Sequence, residues 1–425
     1  MRKELLLSGA ALVVLVLIGA CTAHGPIVAG SSPSASTTPS DSASSGSSQS
    51  PSAAASASPT PTATPVQAGP GTWQPGPEMS SPRTDFAAVA LPRGGVLLIG
   101  GESTFTTITA SADIFDPTTN TIHPAAPMST ARSGHTATLL PNGKVLVVGG
   151  FSGPGVPALG SAELYDPATN SWTLAAAMNQ PRAHHAAVLM GNGKVFVTGG
   201  EGGPGNSIPS ASEIYDPGTN TWTSAQTFYG YRPNGTTATV LKDGRLTIYG
   251  GVEQVQPGNS YEFYDPATGR AAYGRFMGLG DTSYSTVASL EDGTVIIVGG
   301  QQTYNPTGAL NATAIFNPAL DVAGNTTTDA WSAGPAMDVG HCRHTMTTLR
   351  NGLLLVAGGR CGSSESIAVA EPYDPVGKRW LPAAPLLNAR GIHTAVLLPD
   401  GRVLVAGGSK ISAAITDTTE IYTPA

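Results

Sequence analysis

Apolar residues return along this chain in short blocks. Val96-Leu-Leu-Ile99, Val145-Leu-Val-Val148, Val295-Ile-Ile-Val298 and Val403-Leu-Val-Ala406 each run straight into a Gly-Gly pair. A continuous apolar run of this length, closed by glycine, predicts a strand buried on both faces. An alternating stretch precedes each run, as in His135-Thr-Ala-Thr-Leu-Leu140, followed by a turn such as Asn142-Gly143. Asn-Gly or Asp-Gly between two such stretches predicts a tight hairpin. Downstream comes Glu163-Leu-Tyr-Asp166-Pro, then a turn, then a segment carrying Trp172. The pattern therefore predicts units of four short strands, here called a to d, with the apolar run as strand b.

The unit repeats. Gly-Gly pairs begin at 100, 149, 199, 250, 299, 358 and 407, spaced by 49, 50, 51, 49, 59 and 49 residues. A Tyr or Phe anchor follows each pair, around Asp116, Asp166, Asp216, Asp265, Asn317, Asp374 and Thr423. All five Trp residues (Trp73, Trp172, Trp222, Trp331 and Trp380) share the strand d position. Gly-Gly, a later Tyr and a spaced Trp at this period resemble the kelch repeat. The resemblance covers residues 73–422. It implies an all-β, seven-bladed kelch-type propeller with four-stranded blades. The array opens with a strand d at Trp73 and ends with a strand c at Glu420-Ile-Tyr422, so the Trp73 strand is expected to complete the last blade. That closure removes an open strand edge.

Composition fits short strands and turns: 53 Gly and 35 Pro, with 12% charged residues. The formal charge is −7 and no Lys/Arg run exceeds Arg2-Lys3, which speaks against nucleic acid as a partner. Residues 1–21 read as a lipoprotein signal: Arg2 and Lys3, an apolar run from Leu5 to Leu17, then Ile18-Gly-Ala-Cys21. The last four residues resemble a bacterial lipobox, which implies lipidation of Cys21 and a membrane-anchored, extracytoplasmic protein. Residues 22–70 are almost entirely Ser, Pro, Ala, Thr and Gly. A segment with so little to bury is expected to be a disordered tether. The propeller is assigned to 71–425, and the protein is expected to be a monomer.

Candidate chemistry follows from the repeat. Strands alternate direction, so the long, variable b–c and d–a connections share one face with the starts of the a strands. Binding is expected there. One repeat position holds Phe86, His135, His185, Thr236, Ser285, His344 and His393. A metal ring of His135, His185, His344 and His393 is the functional alternative to a structural role, and the structural role is expected. The recurring Arg (Arg83, Arg132, Arg182, Arg390) and Glu (Glu163, Glu213, Glu262, Glu371, Glu420) are expected to satisfy backbone groups or one another. Departures from the repeat cluster in units four and five, placing Tyr229, Tyr231, Arg232, Asp281 and Tyr284 near the mouth, with Tyr304 in a neighbouring loop. Aromatic faces beside polar donors suit a carbohydrate or protein ligand.

The alternative is catalysis. The stretch from Arg390 to Arg402 resembles the part of galactose oxidase-like enzymes that carries a Tyr-His pair of copper ligands. His393 matches, but Ile392 stands where that Tyr would be. The Cys–Tyr order is also reversed, with Tyr284 one unit before Cys342. Glu102, Glu201 and Glu253 follow Gly-Gly pairs and are candidate acid/base groups. Cys342 and Cys361 flank one hairpin and are expected to form a disulfide. The expectation is therefore a surface-anchored binding protein without a cofactor, recognising an extracellular glycan or protein. A galactose oxidase-like oxidoreductase, or another carbohydrate-active kelch enzyme, is the alternative.

Overall fold

The structure is a computed structural model and describes residues 69–202, 209–225, 235–251, 260–275, 282–302, 305–320, 330–360, 365–410 and 414–425. Among these residues there are seven four-stranded antiparallel sheets. Their a strands are Ala87–Ala90, Thr136–Leu139, Ala186–Leu189, Thr237–Val240, Thr286–Ser289, Thr345–Thr348 and Thr394–Leu397. Each apolar run is a b strand buried along its whole length, as at Val145–Val148 and Val195–Thr198. The last sheet draws its fourth strand from the start of the fold: Thr72–Pro75 pairs with Thr419–Thr423, Trp73 opposite Tyr422.

Hydrophobic core lies between neighbouring sheets, one cluster per pair. Leu146 and Val148 of the second sheet pack with Val195 and Val197 of the third. Val96 and Leu98 of the first pack with Leu404 and Ala406 of the seventh. The a strands touch in order, and the strand at Ala87–Ala90 neighbours both Thr136–Leu139 and Thr394–Leu397.

The repeated residues explain themselves as stitching. The indole Nε1 of Trp172 donates to Ala126 O of the preceding sheet at 2.7 Å, and Trp222 does the same to Ala176 O at 2.8 Å. Trp73 donates to Ala384 O at 2.8 Å. Each of these Trp residues also packs on its cross-strand Tyr, with Tyr165 and Trp172 ring centroids 4.9 Å apart. The Gly-Gly pairs are required by close approach. A Cβ on Gly100 (φ +60°) would stand 2.6 Å from Arg132 O, inside any real contact.

The Arg and Glu columns meet. Arg132 is fully buried, its Nη2 donates to Glu163 Oε1 at 3.1 Å, and its Nη1 donates to the carbonyls of Gly149 and Ser161. Glu163 also accepts from the backbone N–H groups of Ser129 and Thr130. The same clamp recurs as Arg83–Asp113, Arg182–Glu213 and Arg390–Glu420. In the sixth sheet His341 takes the arginine's place and bonds Glu371 at 3.2 Å.

The long-loop face differs in detail from the expected irregular connections. Glu102–Thr104 and Thr107–Ile108 form a two-stranded ribbon, and Thr282–Ser283, Gln301–Gln302 and Asn305–Ala309 form a three-stranded sheet. These loops are long enough to pair their own backbone groups, and unpaired backbone groups are costly to bury.

Candidate functional site at the channel mouth

The site begins with a backbone peculiarity. The residue before the repeated His position is left-handed in every unit: Asp85, Gly134, His184, Gly235, Tyr284, Arg343 and Ile392 have φ between +48° and +81°. Five of these are not glycine, in a region of backbone space that side chains rarely adopt. Their backbones are linked sheet to sheet. Gly134 N–H donates to Asp85 O at 3.0 Å, and His184 N–H donates to Gly134 O at 2.7 Å. Tyr284 donates to Gly235 O, Arg343 to Tyr284 O, and Ile392 to Arg343 O, at 3.3, 3.4 and 3.1 Å. Thr84 Oγ1 donates to Ile392 O at 3.2 Å.

This girdle rims a cavity of about 540 Å³, lined by Asp85, His184, Glu201, Tyr284, Arg343 and Ile392 together with the repeated His column. Three groups form a continuous polar chain across it. His184 Nε2 bonds Asp85 Oδ2 at 2.8 Å and its Nδ1 bonds Glu201 Oε1 at 2.7 Å. Burial alone would lower the imidazole, but the two carboxylates outweigh it and raise its pKa to about 10. His184 is therefore an imidazolium that donates from both nitrogens. Burial pushes the Asp85 carboxyl up, and His184 overrides this and holds it below the usual range. Glu102, partly buried and repelled by Asp85, is pushed up. Also in the lining, the Arg343 guanidinium lies 3.9 Å over the Tyr284 ring. Burial raises the Tyr284 phenol, and Arg343 opposes the shift.

The repeated His residues do something else. His185 Nε2 pairs with Thr136 Oγ1 at 2.8 Å, His344 with Thr286 at 2.7 Å and His393 with Thr345 at 3.0 Å. Each links one a strand to the next. His135 has no such partner, because Ala87 stands where the sheets before His185, His344 and His393 place Thr. Burial lowers His135 to about 4 and His393 to about 3, and holds His185 and His344 well below the ordinary value. Among the described residues no group of three or more His, Cys, Asp or Glu gathers as a metal site would require.

Of the six predicted binding residues, Tyr284 lines the cavity. Tyr229, Tyr231, Arg232, Asp281 and Tyr304 lie outside the described residues, as do Glu253, Cys361 and Cys21. Asp85, His184 and Arg343 were not singled out by sequence reasoning. The signal that marks them is their column, one residue before the repeated His, where the two glycines reveal a left-handed turn that five other side chains also occupy.

Comparison with known proteins fits this fold. A family profile described as the KLHDC2/KLHL20/DRC7 Kelch-repeats domain matches residues 85–270. Two galactose oxidases of Gibberella zeae are each 25% identical over 122 residues, 28% of this chain and 16% of theirs. The aligned region thus spans under a fifth of those proteins' length. A solved fungal alcohol oxidase of the AA5 family, in complex with copper, superposes with a TM-score of 0.67 at 18% identity, over 84% of this chain and 77% of that one. The fold is a kelch-type β-propeller fold, similar to that of the galactose oxidase-like proteins.

Those relatives imply a copper centre, and the described residues do not fit one. Ile392 brings no donor atom to the place beside His393, and His393 Nε2 is occupied by Thr345. No step is derived through copper.

Proposed function

We propose that the protein is a seven-bladed propeller, closed through the Thr72–Pro75 strand, whose channel mouth binds an extracellular carbohydrate. The observation that carries this reading is the joining, in one cavity, of the Tyr284–Arg343 stack and the Asp85–His184–Glu201 chain. Sugar rings present C–H faces to aromatic rings and hydroxyl donors to fixed carboxylates. Asp85 and Glu201 keep about a quarter of their side chains exposed (25% and 27%), so both remain open to the cavity while His184 orients them. A protein partner at the same face is the other member of this binding class. The galactose oxidase-like alternative rests on the relatives alone.

The same reading includes anchoring through a lipid on Cys21, the 22–70 tether, an extracytoplasmic location, a monomer, and a Cys342–Cys361 disulfide. The bonded state of the Cys342 sulfur supports the disulfide. Mass analysis of intact and reduced tryptic digests tests both the lipid and the cystine.

The functional test is a glycan array probed with the full chain in mild detergent, beside Tyr284→Gly and Asp85→Asn. Glycine already fills the Tyr284 column at 134 and 235, so the first variant keeps the turn. A glycan-specific signal lost in both variants is expected. No glycan signal with a well-folded chain would overturn the carbohydrate reading, and pull-down of a protein partner sensitive to Tyr284→Gly would replace it.

A further inference from the structure

We infer that the mouth selects sugars bearing a carboxylate, and that Arg343 is the residue that binds the carboxylate. This rests on the carbohydrate reading above and narrows it. The starting point is a contrast among arginines. Arg83, Arg132, Arg182 and Arg390 are fully buried and each is paired with a carboxylate at 2.7–3.2 Å. Arg343 lines the cavity, stacked on Tyr284, and has no ion pair among the described residues. A guanidinium that lines a cavity without a bonded carboxylate can take one from a ligand.

Stacking explains how Arg343 is held ready. With the Tyr284 ring against its flat face, a guanidinium keeps its N–H donors at the edge, in one plane. That edge matches a planar carboxylate with two parallel hydrogen bonds. The turn that carries Arg343 is fixed by the girdle: its N–H donates to Tyr284 O and its carbonyl accepts from Ile392 N–H. Little ordering is left to be done on binding, which favours affinity.

The carboxylates of the lining limit the charge of the ligand. Asp85 and Glu201 contribute two carboxylates around the His184 cation, so a dianionic phosphate would meet repulsion there. A singly charged carboxylate seated on Arg343, with hydroxyls turned toward Asp85 and Glu201, satisfies both kinds of group. That combination is the chemistry of a uronic acid residue.

The test is calorimetric titration of the full chain in mild detergent with oligogalacturonate, its methyl ester, and a sulfated neutral oligosaccharide. The ester keeps the ring and removes the charge. Wild type is expected to bind the acid about tenfold or more tighter than the ester, the scale of a charge-assisted pair. Arg343→Gln should bring that ratio close to one, and Arg343→Lys should retain part of it. Arg93→Gln, in the a–b turn at the other end of its sheet, should leave the ratio as in wild type. Ester binding that depends on Tyr284 while the ratio ignores Arg343→Gln overturns the assignment and leaves the carbohydrate reading standing. Preference for the sulfated sugar over the acid also overturns it. Absence of binding to all three overturns both.

Discussion

Replacing Arg132 by Met is a sharp probe of what holds the sheets together. The guanidinium is 0% exposed. It makes four hydrogen bonds: to Gly149 O, Ser161 O, Ser161 Oγ and Glu163 Oε1, at 2.9, 3.0, 2.9 and 3.1 Å. Met fills a similar volume and removes all four. Glu163 keeps the N–H groups of Ser129 and Thr130, but its charge is left buried without a cation. Breaking a buried pair from one side costs about 3–5 kcal/mol, and two abandoned carbonyls push the figure toward the upper end. The sixth sheet supplies the control. There His341 Nδ1 bonds Gly358 O at 2.7 Å and Nε2 bonds Glu371 Oε1 at 3.2 Å, which reproduces half of the clamp. Arg132→His should therefore cost less than about 2 kcal/mol, the worth of one or two lost hydrogen bonds. Urea unfolding gives the two values, and amide exchange at Ser129 and Thr130 localises them. If Met and His variants are equally mild, the clamp is not what secures this loop and the reasoning fails.

Stability should depend on pH in both directions. His135 and His393 have folded values of about 4 and 3, below the ordinary 6.5, so their contribution is full above about 6.5 and is lost as pH falls through those values. His184, raised to about 10, contributes below 6.5 and loses that contribution as pH rises toward 10. Urea midpoints from pH 3 to 10 should peak near neutrality, and a flat acid limb would contradict the buried-neutral assignment. Ala87→Thr should give His135 the partner its counterparts have and stabilise by about 1 kcal/mol, read from the same midpoints. A loss instead of a gain would mean the ring is not within reach. Ile392→Gly should relieve a β-branched residue held at φ +55°. The left-handed penalty of about 1–2 kcal/mol is offset partly by the freedom glycine gains when unfolded. A net gain of up to about 1 kcal/mol is expected in thermal unfolding, and a drop in midpoint would count against strain at this site.

The periodic part of the molecule was legible because each repeated residue serves a local purpose. The b strands read directly from apolar runs between a turn and Gly-Gly, and the Trp column marked the d strands. Arg132 and Glu163 could be recognised as a structural pair from recurrence, without knowing the contact. The site was less legible. Asp85 and His184 meet across 99 positions of sequence, a contact that only the arrangement of sheets creates. The repetition of His135, His185, His344 and His393 drew attention to the column that links a strands, one residue away from the left-handed column at the rim. Tyr284 stood out because it broke the repeat. Arg343 did not, because a charged residue beside a repeated His looks like ordinary variation until its pairing is known. The ribbon formed by Glu102–Thr104 and Thr107–Ile108 was missed because alternation over two or three residues carries no signal.

Trp73 lends the fold a mechanical property. A load applied to the chain ahead of Gly69 meets the Pro70 carbonyl, held by Ala384 N–H at 3.1 Å and Tyr422 O–H at 3.4 Å, and then a four-residue strand whose ladder partner among the described residues is Thr419–Thr423. The ladder would open like a zipper from Thr72, each bond taking the full force in turn. The indole's bond to Ala384 and its packing on Tyr422, with ring centroids 5.0 Å apart, act as a rivet one residue in. Tension from that side would thus be resisted within a few residues, around Pro70 and Trp73. Slipping that rivet would detach one outer strand before disturbing any of the seven a strands that frame the mouth.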